Sequence, residues 1–237
     1  MKYIDIHSHI VFDVDDGSKS LEQSIKYLKE IKKIGMNKVV CTPHMKHGKK
    51  EKALKIVKNF KILREEANKL NIKLYLGNEI MYSDQIVDLL KHKKITTLNN
   101  SNYVLVEFKR NENMDIDTVL DSLEELIENG YNVILAHPEL YHNYRNIEYI
   151  KKIKELGVML QLDATSILRR RTNREIYKFS KKLLKERLID IVASDSHCTK
   201  KRDFLSMKKA YKKIKNKYGK TYANIIFYEN QSEIVGD

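Results

Sequence analysis

One unit recurs along this chain: an amphipathic helix, a glycine stop, then a short run of aliphatic and β-branched residues. The first copy sets Leu21, Ile25, Leu28, Ile31 and Ile34 at helical spacing over Ser18–Ile34, stops at Gly35 and continues into Lys38-Val39-Val40-Cys41. A second runs through Val119, Leu123 and Leu126 to Gly130, then Asn132-Val133-Ile134-Leu135-Ala136. A third runs through Ile147, Ile150 and Ile153 to Gly157, then Val158-Met159-Leu160-Gln161-Leu162. Strands that alternate with helices pair in parallel, because the return crossover is the helix itself. The candidate strands are Tyr3–Ile6, Lys38–Cys41, Lys73–Gly77, Tyr103–Val106, Val133–Ala136, Val158–Leu162 and Ile189–Ala193. Most are continuously apolar, as strands covered on both faces are. The expectation is an α/β chain folded as a TIM-like (β/α)7 barrel, one strand short of the usual eight, with an open doubly wound sheet as the alternative. No Gly-rich nucleotide loop follows any strand, which counts against the open sheet as a nucleotide binder. No low-complexity linker interrupts the chain, so residues 1–237 read as a single domain.

The residues after these strands carry the chemistry. Strand one leads into His7-Ser8-His9, strand two into Thr42-Pro43-His44 and strand three into Asn78-Glu79. Strand four leads into Glu107, strand five into His137 and strand seven into Ser194-Asp195-Ser196-His197. Parallel barrels build their sites at the C-terminal ends of the strands, so six of the seven ends deliver a His, Asp or Glu to one rim. One histidine after one strand says little. Together, five of the eight histidines fall at these ends, and both prolines, Pro43 and Pro138, adjoin one of them. The remaining three, His47, His92 and His142, read as surface or supporting residues.

Mixed imidazole and carboxylate donors suit Mn, Fe or Zn. One catalytic zinc needs about three protein ligands, and there are more candidates here than one ion would use. Clustered divalent cations activate water and clamp phosphoryl oxygens, which makes metal-dependent phosphate-ester hydrolysis the expected reaction. No serine or cysteine nucleophile motif competes with it.

In combination, Asp5-Ile6-His7-Ser8-His9, Asp15-Asp16-Gly17, Thr42-Pro43-His44, Gly77-Asn78-Glu79, Val106-Glu107-Phe108, Ala136-His137-Pro138-Glu139 and Ala193-Ser194-Asp195-Ser196-His197 resemble the PHP (polymerase and histidinol phosphatase) superfamily. The nearest likeness is its branch of bacterial manganese-dependent protein-tyrosine phosphatases associated with capsule and exopolysaccharide synthesis, over nearly the whole chain. The resemblance implies a distorted seven-stranded barrel with two or three Mn²⁺ ions, Fe or Zn being substitutes. By motif position, His7, His9, Glu79 and Asp195 would take one metal. Glu79, Glu107 and His137 would take a second, and Asp16, His44 and His197 a third. Asp195, His197 and His44 are the candidates for proton transfer. The implied substrate is a phosphotyrosine protein, with a polysaccharide-export tyrosine kinase as the expected partner. The branch carries an arginine after its His-x-Glu for the phosphate, where this chain has Leu140, so Arg145, Arg202, Lys46 or Arg110 would supply that cation. The rival readings are a phosphoesterase for a sugar, histidinol or nucleotide phosphate, a C–N hydrolase, and a non-catalytic basic binding module on the same barrel.

Composition narrows the setting. The net charge of +13 comes from lysines spread along helices, without the interleaved aromatics of a strand-stacking surface, so no nucleic-acid partner is expected. No apolar run is long enough for a membrane span, and Met1-Lys2-Tyr3-Ile4-Asp5 is not an apolar leader. Two cysteines, Cys41 and Cys198, fit a reducing cytoplasm. A homo-oligomer stays open.

Overall fold

The computed structural model describes residues 3–109, 115–168, 172–198 and 203–236. The aliphatic runs form short strands: β1 (Ile4–Asp5), β2 (Lys38–Cys41), β3 (His44–Met45), β4 (Lys73–Leu76), β5 (Glu79–Met81), β6 (Tyr103–Glu107), β7 (Asn132–Ala136), β8 (Met159–Asp163) and β9 (Ile191–Ala193). They occupy the seven expected positions. β2 and β3 are two parts of one strand, broken at Thr42-Pro43, where proline has no N–H for a ladder. β4 and β5 are likewise separated by Gly77-Asn78. The wall continues across these breaks, since Gly77 N donates to Cys41 O at 2.9 Å and Glu79 N to Thr42 O at 3.3 Å.

Every pairing is parallel, in the orders β1-β2-β4 and β3-β5-β6-β7-β8-β9. First and last strands meet through a parallel bridge between Ser8 and Ser196, and His9 N donates to Ser196 O at 2.8 Å. Asp5 reinforces this seam, accepting from Ser194 N at 2.9 Å and from the Ser194 hydroxyl. The wall therefore curls into a distorted barrel.

Side-chain alternation splits the core in two. Val104 and Val106, Val133 and Leu135, Leu160 and Leu162 face the surrounding helices. Leu105, Ile134, Ala136, Ile191 and Ala193 pack in a separate inner cluster with Ile4, Ile6 and Val40. The tail helix α9 (Asn230–Val235) adds Ile234 and Val235 to that inner cluster, so the chain's last turn plugs the barrel opposite the rim.

Helices α1 (Leu21–Lys33), α2 (Lys50–Lys69), α3 (Ile86–Lys91), α4 (Ile116–Glu128), α5 (Ile147–Glu155), α6 (Arg174–Lys185), α7 (Leu205–Tyr218) and α8 (Lys220–Asn224) cover the wall. The first is shorter than the expected Ser18–Ile34. Ser20, in extended conformation, caps Gln23 N, while Ser18 N is held by His9 O at 3.0 Å and belongs to the rim loop. Among the described residues no helix is long and apolar enough to cross a membrane.

Candidate metal centre

Strand ends and one loop bring nine of the expected residues together. His7 and His9 follow β1, His44 opens β3, Glu79 opens β5, Glu107 ends β6, His137 follows β7, and Asp195 and His197 follow β9. Asp16 comes from the loop before α1. Two of the candidate positions, His137 (φ 36°) and Asp195 (φ 44°), sit in the left-handed region. That conformation costs a residue with a Cβ about 1 kcal/mol or more, and such strain collects at functional sites.

Among the described residues three groups form in which one N or O atom from each residue lies within 4.8 Å of the others: His7, His9, Glu79 and Asp195; His44, Glu79 and Glu107; and His9, Asp16, His44 and His197. The first contains the same four residues that the resemblance implied. The second has His44 where His137 was expected, although His137 Nε2 is 2.9 Å from Glu79 Oε1 and 3.8 Å from Glu107 Oε2. The third adds His9. Glu79 is shared by the first two, and His44 by the last two. Burial is graded: the side chains of His7, His9 and Glu79 are inaccessible, whereas Asp16 is 66% exposed and His44 32%. The open face is therefore the Asp16–His44 side.

The hydrogen bonds behind the rings show what these atoms can hold. His9 Nδ1 faces Asp15 Oδ2 at 2.8 Å, and His7 Nδ1 faces Gln161 Oε1 at 2.9 Å. Both partners are oxygen acceptors, so each Nδ1 keeps its proton, and the neutral form of each ring turns a lone pair inward at Nε2. These two Nε2 atoms lie 3.3 Å apart. Glu79 Oε2 lies 3.2 Å from His7 Nε2, 3.1 Å from His9 Nε2 and 2.9 Å from His44 Nδ1, but none of these approaches has hydrogen-bond alignment. Buried acceptors converging on one space are what a divalent cation requires, and the donor set fits one.

The side-chain electrostatics agree. Burial opposes a charged His7, yet Glu79 and Asp195 push its pKa up to about 9; His9 is held well above its usual value by Asp15, Asp195 and Glu79 against the same burial. Burial likewise opposes an ionised Glu79, but the charge of His7, the hydrogen bond of His137 and the close approach of the His44 and His7 rings hold its carboxyl well below the usual range. The His44 hydrogen bond holds Asp16 down too, aided by the charges of His197 and His44 against partial burial. The cluster thus demands positive charge, which protons or metal ions supply, and metal binding releases the protons.

Some residues of this centre were not singled out in the sequence. Asp15 fixes the His9 ring and also accepts from Gly17 N at 2.9 Å and His44 N at 3.1 Å. The Asp15-Asp16-Gly17 run has a steric reason as well: a Cβ on Gly17 would lie 2.1 Å from His9 O. Gln161 and Asp163 come from β8, the one strand that had been left without a ligand. The cation candidates are scattered. Arg145 pairs with Glu175 at 3.3 Å in a depression of about 570 Å³ lined also by Lys178 and Lys182 and by none of the nine residues above. Lys46 is half-buried directly after β3, and Leu140 is half-buried in the turn after His137. Arg202 and Arg110 lie outside the described residues.

Fold and site together define a parallel α/β barrel with a clustered imidazole–carboxylate centre for divalent cations. The family model described as capsular polysaccharide synthesis, CpsB/CapC, matches residues 3–236, and the chain belongs to that family. It is 38% identical over 242 residues to the tyrosine-protein phosphatase CpsB of Streptococcus agalactiae serotype III (strain NEM316), covering 98% of each chain. In structure it is similar to a chain from the work on YwqE of Bacillus subtilis and CpsB of Streptococcus pneumoniae, described as unique metal-dependent tyrosine phosphatases. That match has a TM-score of 0.84 at 24% identity, over 98% of this chain and 94% of that one. The organophosphorus hydrolase of Deinococcus radiodurans shares the fold at a TM-score of 0.64 and 12% identity, over 99% of this chain and 92% of the other.

Proposed function

We propose that this chain is a single-domain, metal-dependent protein-tyrosine phosphatase acting on phosphotyrosine proteins. Two or three Mn²⁺ ions would be held by His7, His9, Asp16, His44, Glu79, Glu107, His137, Asp195 and His197. The observation that carries the reading is the set of buried ring nitrogens and carboxylate oxygens that face one another with their lone pairs inward. Full-length likeness to a named tyrosine-protein phosphatase supports the reaction class. Mn²⁺ and Fe suit these nitrogen and oxygen donors, and neither Cys41 nor Cys198 belongs to a donor group. The expected partner is a tyrosine kinase of polysaccharide export, met at the cytoplasmic side.

When bound, such cations activate water and neutralise phosphoryl oxygens. The chain's own residues set the approach. The deep side is closed by His7, His9 and Glu79, so a phosphate enters past Asp16 and His44. His197 is oriented by its Nδ1, 3.1 Å from Asp195 O, which turns Nε2 toward Asp16 at 3.3 Å. His197, His44 and Asp195 border this space and are the groups proposed to move a proton to the departing tyrosine oxygen. Lys46 and Arg202 are proposed to attract the phosphate, and Arg145 to serve the peptide beyond it. One residue favours a small phosphomonoester instead: Leu140 brings no donor to the turn beside His137.

The test is metal analysis of gently purified protein, followed by a panel of phosphotyrosine peptides and small phosphomonoesters with and without Mn²⁺. At least two metal equivalents and a preference for the peptides are expected. Fewer than two equivalents after reconstitution, or turnover of small esters alone, would overturn the reading.

A further inference from the structure

We infer that Gln161 and Asp163 are positioning residues that write the tautomer of His7, and through it decide whether His7 can ligate a metal. The inference rests on the metal-centre reading above, though not on the identity of the substrate.

β8 places Gln161 and Asp163 two residues apart, so both project to the barrel interior while Leu160 and Leu162 face the helices. Both are buried. An amide can be turned either way, presenting oxygen or NH₂, and here two neighbours of fixed polarity settle it. The backbone N–H of His137 can only donate, and it lies 3.3 Å from Gln161 Oε1. The carboxylate of Asp163 accepts, and its Oδ1 lies 3.0 Å from Gln161 Nε2. The amide oxygen must therefore face His137 and the NH₂ must face Asp163.

The same oxygen lies 2.9 Å from His7 Nδ1. It accepts, so Nδ1 must be the protonated nitrogen and Nε2 must offer its lone pair to the space shared with His9, Glu79 and Asp195. A flipped amide would aim NH₂ at Nδ1, drive the proton to Nε2 and remove His7 as a ligand. Asp163 is itself held, its N–H donating to Glu139 Oε1 at 3.0 Å. Polarity thus runs from the Asp163 carboxylate through Gln161 to His7, with the Asp163 backbone fixed by Glu139.

The test uses Zn²⁺, which is diamagnetic, on the full chain. Zn²⁺ affinity is measured by chelator competition, and long-range ¹H–¹⁵N spectra read which His7 nitrogen carries hydrogen. In the unaltered protein, Nδ1–H is expected. Asp163→Asn can meet Gln161 with either end of its amide, and Gln161→Met removes the acceptor. Each is expected to weaken one Zn²⁺ by about 10–100-fold, the usual cost of losing a supporting partner, and to diminish the Nδ1–H signal. The decisive variant is the double Gln161→Glu/Asp163→Asn. It keeps one buried carboxylate, keeps an acceptor for His7 and His137, and reverses the bond between 161 and 163. It should bind within a few-fold of the unaltered protein and regain the signal, which restoration of packing alone would not do. Unchanged affinity and signal in Asp163→Asn and Gln161→Met, or a double variant no better than Asp163→Asn, would overturn the inference. Zn²⁺ binding that follows this pattern without phosphatase activity would sink only the proposed reaction.

Discussion

Replacing Glu79 by Gln should be far more damaging than replacing Asp16 by Asn. The two carboxylates differ in burial and in company. Glu79 has no accessible side-chain surface and belongs to two of the three donor groups; Asp16 is 66% exposed and belongs to one. Unit charges about 4 Å apart interact by roughly 4 kcal/mol at an effective dielectric of 20, suited to a protein site, and by roughly 1 kcal/mol in water. Losing the Glu79 charge therefore costs about 4 kcal/mol against even one cation, or roughly 10³-fold in kcat/KM, and the Asp16 charge about 1 kcal/mol, or roughly fivefold. The assay is kcat/KM on one phosphotyrosine peptide across a Mn²⁺ titration, with metal content and thermal melting of each variant as controls. A gap of about a hundredfold between the variants is expected at limiting Mn²⁺, narrowing as Mn²⁺ is raised. Equal losses in two folded variants would refute the idea that Glu79 is shared between metals.

Chelation should abolish activity and lower Tm, with both restored by Mn²⁺. At a hundred times Kd a bound ion stabilises by about 2.7 kcal/mol, a shift of roughly 5–10 °C for a chain this long, readable in a thermal scan. Gly17→Ala should keep its far-ultraviolet circular dichroism but lose bound metal, because the new methyl can fit beside His9 O only if His9 moves; an unchanged metal count would contradict this. Leu140→Arg should raise kcat/KM toward phosphotyrosine peptides by up to about a hundredfold, the scale of one regained oxyanion donor. Arg145→Ala should lower it only a few-fold, the scale of one lost peptide contact, since Arg145 pairs with Glu175 away from the donor groups. Kinetics of the two variants on one peptide decide both points.

The fold was legible because both of its periodicities are written plainly. Helices α1, α4 and α5 end at glycines that take a left-handed turn, as at Gly130 with φ +85°, and strands are apolar on both sides because each has an inner and an outer core. The strand breaks at Thr42-Pro43 and Gly77-Asn78 were hidden, because residues just past a strand look alike whether pairing stops or resumes. The Ser18 start of the first helix failed for a related reason. Ser18 and Ser20 are equal as candidate caps by type, and only the pull of His9 O on Ser18 N separates them.

Candidate ligands were easier to read than the residues that aim them. Histidine after a buried strand is costly unless used, so His7, His9, His44, His137 and His197 stand out by type alone. Asp15 stood in a quoted motif yet drew no role, since a carboxylate in a loop before a helix is an ordinary cap or turn residue. Gln161 was harder still: it is one amide in an otherwise apolar strand, and glutamine ligates nothing in this donor set. Its meaning depends on three groups meeting at one amide: the His137 N–H and the His7 ring at its oxygen, and the Asp163 carboxylate, two residues along the strand, at its nitrogen. A side chain that acts by orienting another has no type signature, because the requirement falls on direction and not on chemistry. The strand whose end the motif reading left without a candidate ligand, although it closes on Asp163, is therefore the place to look for such a residue. A barrel wall that surrounds a charged centre must meet it with polar groups on every side, including the sides that bind nothing.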